Sequence, residues 1–155
     1  MPHKHSVDAH VFLAGRDVGV LSTKSRNGHV YGATVYYITG PNSYVYFLTK
    51  SDTKKAHNIL ANPQVALTVF DAIELKTLQL QGTAHIETDL KIRQKVFDKM
   101  VRPRVYRGIK RMPPVTDLHS GGFIAFRIEP DTITYTNYND DSALNPIHEF
   151  SQTDS

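Results

Sequence analysis

The sequence predicts a mainly β protein, an antiparallel β-barrel with inserted helices, and three observations carry that prediction. Segments rich in Val, Tyr, Phe and Thr recur through most of the 155 residues, the composition that suits a pleated, half-buried surface. Turn signals separate them at short intervals, so that neighbouring segments read as hairpins. The helical segments are too few and too scattered to make a run of βαβ units, which argues against a parallel sheet. Closure into a small barrel hides strand edges that so much Val, Tyr and Phe would otherwise leave sticky.

The elements follow in order. Ser6 or Asp8 is placed to cap a short helix over Ala9–Ala14, which Gly15 ends. Val18–Thr23 is a strand, Arg26-Asn27-Gly28 a tight turn, and His29–Thr39 the returning strand, since Asn-Gly supplies the positive φ angles such a hairpin needs. Gly40-Pro41-Asn42-Ser43 turns into the strand Tyr44–Thr49. A helix follows, with Ser51 or Asp52 as its N-cap, Ala56, Ile59 and Leu60 on one face, and Asn62-Pro63 as its stop. Gln64–Phe70 and the long Leu75–Thr88 are strands, with Gly82 marking a bulge or bend in the second. Asp89–Val101 has helical spacing, with Ile92, Val96, Phe97 and Met100 on one side and Pro103 beyond its end. Arg104–Gly121 shows no clear periodicity. Gly122–Ile128 is a strand, Glu129-Pro130-Asp131 a turn, and Thr132–Tyr138 a strand pairing back, before an irregular acidic tail from about Asn139.

A chain of this length is expected to fold as one domain spanning residues 1–155, burying about 70% of its unfolded surface. The 40% hydrophobic and 21% charged content suits a soluble globular protein. Without cysteine there is neither a disulfide framework nor a thiolate metal site. The apolar run Val11–Ala14 is too short for the core of a signal peptide, so a cytoplasmic location is expected. The net charge of +3 hides an uneven distribution. Nine basic residues lie between Lys91 and Arg111 against one acid, Asp98, whereas no Lys or Arg follows Arg127. Such a stretch can meet nucleic acid, an anionic substrate or acidic groups of the protein itself. Pairing within the protein or across subunits is the expectation, with Asp140, Asp141 and Glu149 as partners; nucleic acid and membrane are not expected partners.

Lys54 and Lys55 carry the strongest chemical signal. They fall in the first turn of the helix after Thr49, where free N–H groups and the positive end of the helix dipole disfavour cations. A bound phosphate reverses that: the N–H groups and the Thr53 hydroxyl donate to it while two ammonium groups neutralise it.

The hairpin, the strand ending Phe47-Leu48-Thr49-Lys50, the helix start Thr53-Lys54-Lys55-Ala56-His57-Asn58 and the segment Asn62-Pro63-Gln64-Val65-Ala66-Leu67 together resemble the pyridoxamine 5'-phosphate oxidase-like FMN-binding split-barrel superfamily over roughly Val18 to Glu87. The resemblance implies a six-stranded antiparallel split barrel and a homodimer with two FMN sites at its interface. It implies that Ala33, Thr34, Val35, Tyr36 and Tyr37 line the isoalloxazine through backbone groups, that Leu48 and Thr49 lie beside the ring and ribityl chain, and that Thr53, Lys54 and Lys55 hold the phosphate. Thr77 and Gln79, alternate residues of one strand, face the same way and are expected at the flavin's polar edge.

The sequence also departs from the oxidase pattern. Lys54 stands where Arg is usual, and there is no Trp and no Arg-X-His substrate motif after Gly122. The expectation is therefore an FMN-dependent oxidoreductase acting on a different small molecule, or on dioxygen. A non-catalytic flavin or haem module and a reductase using the deazaflavin F420 are the alternatives. Relatives of this fold bind haem or F420, and His57 or His119 are the candidates for an axial haem ligand. The eight histidines are otherwise scattered, no zinc-protease spacing occurs, and no metal site is expected. No general acid or nucleophile stands out, so the catalytic residues stay unassigned and any chemistry would be the cofactor's.

Overall fold

The computed structural model describes residues 4–111, 122–139 and 147–151. Its elements are α1 (Lys4–Ala14), β1 (Val18–Lys24), β2 (Val30–Tyr36), β3 (Ile38–Thr39), a 3-10 turn (Pro41–Ser43), β4 (Val45–Lys50), α2 (Lys54–Ala61), β5 (Gln64–Asp71), β6 (Lys76–Ile86), α3 (Leu90–Met100), β7 (Arg104–Tyr106), β8 (Ile109–Arg111), β9 (Phe123–Asn137) and β10 (Ile147–Ser151). The main sheet is antiparallel throughout and runs β2-β1-β5-β6-β9-β4-β3, with β10 added beside β9. β7 and β8 form a separate small hairpin.

This is the split barrel, with a strand count that differs slightly from six. β2 and β3 are one returning strand broken at Tyr37. Counted so, β1, β2–β3, β4, β5, β6 and β9 are the six barrel strands, and β10 is an addition. The break has a cause. The Tyr37 N–H donates to the Asp17 carbonyl at 2.9 Å, and its fully buried side chain crosses the core so that the hydroxyl donates to the Leu13 carbonyl at 2.8 Å. Burial first, and the Asp17 carboxylate second, push the Tyr37 pKa up. Tyr37→Phe is expected to cost about 1 kcal/mol, the net worth of one hydrogen bond. The sign of the pH effect follows from the raised value. Keeping Tyr37 protonated contributes stability that is complete below about pH 10 and is lost as pH rises above it, because the unfolded tyrosine ionises first. Urea midpoints at about pH 8 and about pH 11 should therefore fall more for the native chain than for Tyr37→Phe; equal falls would reject this role.

Strand alternation builds the core. Leu21, Val45, Phe47, Leu67, Val69, Leu78, Leu80, Phe126 and Ile128 point inward, with Phe47 and Phe126 stacked at 5.4 Å between centroids. α1 contributes Ala9, Phe12 and Leu13, and α2 contributes Ala56 and Ile59. α1 begins at Lys4, so Ser6 and Asp8 lie inside it instead of capping a helix at Ala9; its buried face sets its extent, as packing generally overrides local propensity. A second cluster lies under α3, where Val96, Met100 and Ile92 cover Tyr36, Ile38, Tyr44, Tyr46 and Leu48 on the outer side of the sheet. Asp89 caps α3, its carboxylate accepting from the N–H groups of Lys91 and Ile92.

Two sequence expectations are corrected. Glu129-Pro130-Asp131 is not a turn, and Thr132–Tyr138 does not pair back on the preceding strand. β9 is continuous for 15 residues, and both halves pair with β6. The register shifts where Gly82 faces Pro130 and Gln81 faces Thr132, which leaves Asp131 as the extra, exposed residue of a bulge. A bulge tolerates proline because the ladder bond that Pro130 cannot donate is not required there. The expected bend at Gly82 lies at this position. The tail is not irregular throughout either, since Ile147–Ser151 pairs with Thr132–Thr136 as β10; residues 140–146 and 152–155 lie outside the described residues.

The basic stretch partly pairs within the chain, though with acids other than those expected. Arg104 meets Asp17 at 3.3 Å, and Arg107 meets Asp71 at 3.5 Å and Glu74 at 3.6 Å, beside Arg16 on the same two acids. Asp140 and Asp141 lie outside the described residues. Among those residues, no helix is long and apolar enough to cross a membrane.

Candidate functional site

The split in the barrel lies between β2 and the C-terminal half of β4. Among the described residues, β2 pairs with β1 alone and β4 pairs with β3 at Val45 and Tyr46 alone, so Phe47–Lys50 has its ladder partners there on the β9 side. The two strands approach one another across this gap. Two unpaired strand edges thus face a crevice, with backbone N–H and C=O groups available to a flat polar-edged molecule. Ala33, Thr34, Val35 and Tyr36 sit on its β2 side. Val35 points into the core, Thr34 is exposed, and Tyr36 packs under α3 near the Arg104 guanidinium. Leu48 and Thr49 sit on the β4 side and, being adjacent, face opposite ways: Leu48 toward α3, Thr49 inward.

The start of α2 closes one end of the crevice. Thr53, not Ser51 or Asp52, is the N-cap: its backbone is extended and its hydroxyl oxygen accepts from the Ala56 N–H at 3.3 Å. The Thr53 hydroxyl donates to the Lys50 carbonyl at 2.9 Å and lies 2.9 Å from the buried Thr49 hydroxyl. Its proton is engaged within the chain, and the hydroxyl shapes the helix start. Lys54 and Lys55 become the first two helical residues, whose N–H groups have no intrahelical acceptor. Lys54 Nζ lies 4.8 Å from the centroid of the Tyr31 ring on β2, a cation–π distance. Lys55 is half-buried, and that burial lowers its pKa. Among the described residues neither lysine forms an ion pair. Two cations outside any ion pair among those residues thus share the first turn of α2 with two free N–H groups and the positive end of the helix dipole, a set that suits a phosphate monoester.

Sequence reasoning missed the residues that hold this cradle in place. The buried Asn58 amide donates to the buried Thr23 hydroxyl at 3.0 Å, fastening α2 to β1. The Ser51 N–H donates to the Gly122 carbonyl at 2.7 Å, and Gly122 has φ +78°, a conformation that glycine adopts without strain. A polar residue in the middle of an amphipathic helix is a usable signal for Asn58; nothing local marks Tyr31.

Thr77 and Gln79 do share a face, but it is the outer face of the sheet. The buried Leu78 and Leu80 alternate with them, and β6 lies three strands from β2, about 14 Å at the usual spacing. Within one chain they do not join the cradle. Val20 and Phe70 lie on that same outer face, 45% and 59% exposed. His57 is exposed on α2, and His119 lies outside the described residues.

A groove of about 230 Å³ runs beside Leu48, between α3 and the β4–β9 pair, lined by Leu90, Arg93, Gln94, Phe97 and Phe123. It joins an apolar wall to one guanidinium, a lining suited to a small ring carrying an anionic group.

The fold agrees with known proteins. The family described as pyridoxamine 5'-phosphate oxidase matches residues 8–137, and the chain belongs to that family. Among solved structures, a haem-binding protein from Mycobacterium smegmatis superposes with a TM-score of 0.75 at 12% identity, over 99% of this chain and 60% of that one. A pyridoxamine 5'-phosphate oxidase-related, FMN-binding protein from Nostoc punctiforme gives 0.61 at 12% identity, over 96% of this chain and 89% of that one. An F420 reductase gives 0.59 at 19% identity, over 86% and 98%. These likenesses show the fold. No curated protein matches the sequence.

Proposed function

We propose that this protein is an FMN-binding flavoprotein, an oxidoreductase acting on a small organic molecule, and that it works as a homodimer. The observation that carries the reading is the placement of Lys54 and Lys55, neither in an ion pair among the described residues, in the first turn of α2 at the end of the crevice between β2 and β4. The family and the FMN-binding relative from Nostoc punctiforme support it. Lys54 and Lys55 hold the phosphate, the backbone of Ala33–Tyr36 and of Leu48–Thr49 orients the ring, and Leu48 separates the ring from the groove under α3, where the substrate enters. FMN, when bound, supplies the electron-transfer chemistry. An absorbance spectrum of freshly purified protein tests the cofactor: flavin bands support the reading, and a Soret band in their place overturns it.

The dimer gives Thr77 and Gln79 their place. Their outer sheet face, with exposed Val20 and Phe70, is the surface offered to a second copy, where the two side chains would serve the flavin edge of the partner's site. Sedimentation is expected to give a mass near twice 17.5 kDa. Phe70→Glu, which sets a charge in the middle of that face, should yield monomers that bind FMN more weakly. A native monomer that still holds FMN would sink the interface model.

A further inference from the structure

The groove beside Leu48 does not end at α3. Leu90 and Gln94, which form its outer lip, also belong to the solvent face of the helix, together with Lys91, Lys95 and Lys99, and with Arg102 just past its C-terminus. Lys91, Lys95 and Lys99 are four residues apart, so they stack along one side of α3 over about 12 Å. Like charges at that spacing repel and weaken a helix. Among the described residues none of these four cations has an acidic partner, whereas Arg104 and Arg107 of the same basic stretch are both paired. The acid in the row, Asp98, accepts the Gln94 amide at 2.8 Å. Leu90, at the junction of groove and stripe, is 75% exposed.

An apolar groove with one arginine opening onto a row of unpaired lysines has the outline of a site for an elongated ligand with a flat ring at one end and several anionic groups behind it. We propose that α3 docks a phosphorylated dinucleotide. Its redox-active ring occupies the groove of Leu48, Arg93 and Phe97, and its phosphates lie along Lys91, Lys95 and Lys99. This rests on the flavin reading for the direction in which the ring points, but the binding it asserts can be measured separately. Lysine suits the task, because a row of mobile point charges accepts phosphates without fixing one geometry.

The test compares the native protein with the triple variant Lys91→Gln, Lys95→Gln, Lys99→Gln, in which every replaced side chain is exposed. NADPH, NADH and dihydronicotinamide riboside, which has no phosphate, are each titrated by their own fluorescence anisotropy, and FMN affinity is measured in parallel. The native protein is expected to rank them in that order, with NADPH binding falling steeply as salt rises. The variant should lose about 10-fold for NADPH, less for NADH and nothing for the riboside, given three exposed charge contacts of modest individual worth. FMN affinity should not change, and the melting temperature should hold or rise slightly as the repulsion along α3 is relieved. Equal affinities in variant and native protein overturn the proposal, as does an equal loss for all three probes. Salt-sensitive binding of a short DNA duplex that needs the same lysines, with no dinucleotide binding, also overturns it, in favour of a macromolecular polyanion. A native protein that takes up no FMN yet binds NADPH through these lysines would instead contradict the flavin reading and leave the dinucleotide site standing.

Discussion

Replacing Lys54 or Lys55 with alanine is expected to weaken FMN binding about 10- to 150-fold, the worth of one charged hydrogen bond, and to leave riboflavin binding nearly unchanged. The contrast between the ligands is what identifies the contact, because riboflavin would fill the same crevice without a phosphate. Lys54 sits against Tyr31, and Lys55 is half-buried with its charged form disfavoured. Bringing a phosphate beside Lys55 favours the ammonium again, so its pKa rises on binding. FMN affinity is therefore greatest where Lys55 is protonated and declines as pH climbs through the lysine's range, and Lys55→Ala should flatten that decline. Calorimetry with both ligands across pH checks it. Equal losses for FMN and riboflavin would show that the lysines do not touch the phosphate.

Gly82→Ala is expected to destabilise the fold by about 3 kcal/mol, the upper range for overpacking a tight site. A Cβ at Gly82 would lie 2.2 Å from the Glu129 carbonyl oxygen and 3.0 Å from the Pro130 Cα. Both obstacles are backbone, held by the paired strands on either side of the bulge, so neither moves aside cheaply. For a domain of this size the melting temperature should fall by about 6–12 °C. An unchanged melting temperature would mean that β6 and β9 do not cross so closely there. Gly19→Ala makes a useful comparison, since a Cβ there would meet the Leu67 side chain and the Thr68 carbonyl oxygen, both at 2.9 Å, a less severe approach than at Gly82.

Where local chemistry decides the outcome, the sequence was readable. Val, Tyr, Phe and Thr content marked the strands, Asn27-Gly28 marked the first hairpin, and Gly82 marked the bulge. The lysine pair was legible because its placement is unfavourable without a ligand. What failed was long-range. Glu129-Pro130-Asp131 carries every local sign of a turn, and only the partner strand, about fifty residues earlier, makes it a bulge. Ile147–Ser151 is a strand because β9 offers an edge, a fact absent from its own composition. Thr77 and Gln79 were correctly placed on a common face, but which side of the sheet that face lies on depends on curvature that no strand encodes alone. The shared cause is that pairing partners distant in sequence leave no local trace.

The place of β9 between β6 and β4 also sets the order in which the molecule can assemble. β1 with β2 and β5 with β6 are local hairpins, able to form as soon as their own residues are available. β4 has no such neighbour: before β9 arrives, its pairing is the two-residue contact with β3. Residues 45–50 must wait for residues 123–128, a separation that makes the closing step non-local and slow relative to the hairpins. Because α2 starts where β4 ends, the lysine cradle is completed at that closing step, even though Asn58 also ties α2 to β1. On the ribosome, the crevice between β2 and β4 would be among the last features to appear, after almost all of the chain that builds it has been synthesised.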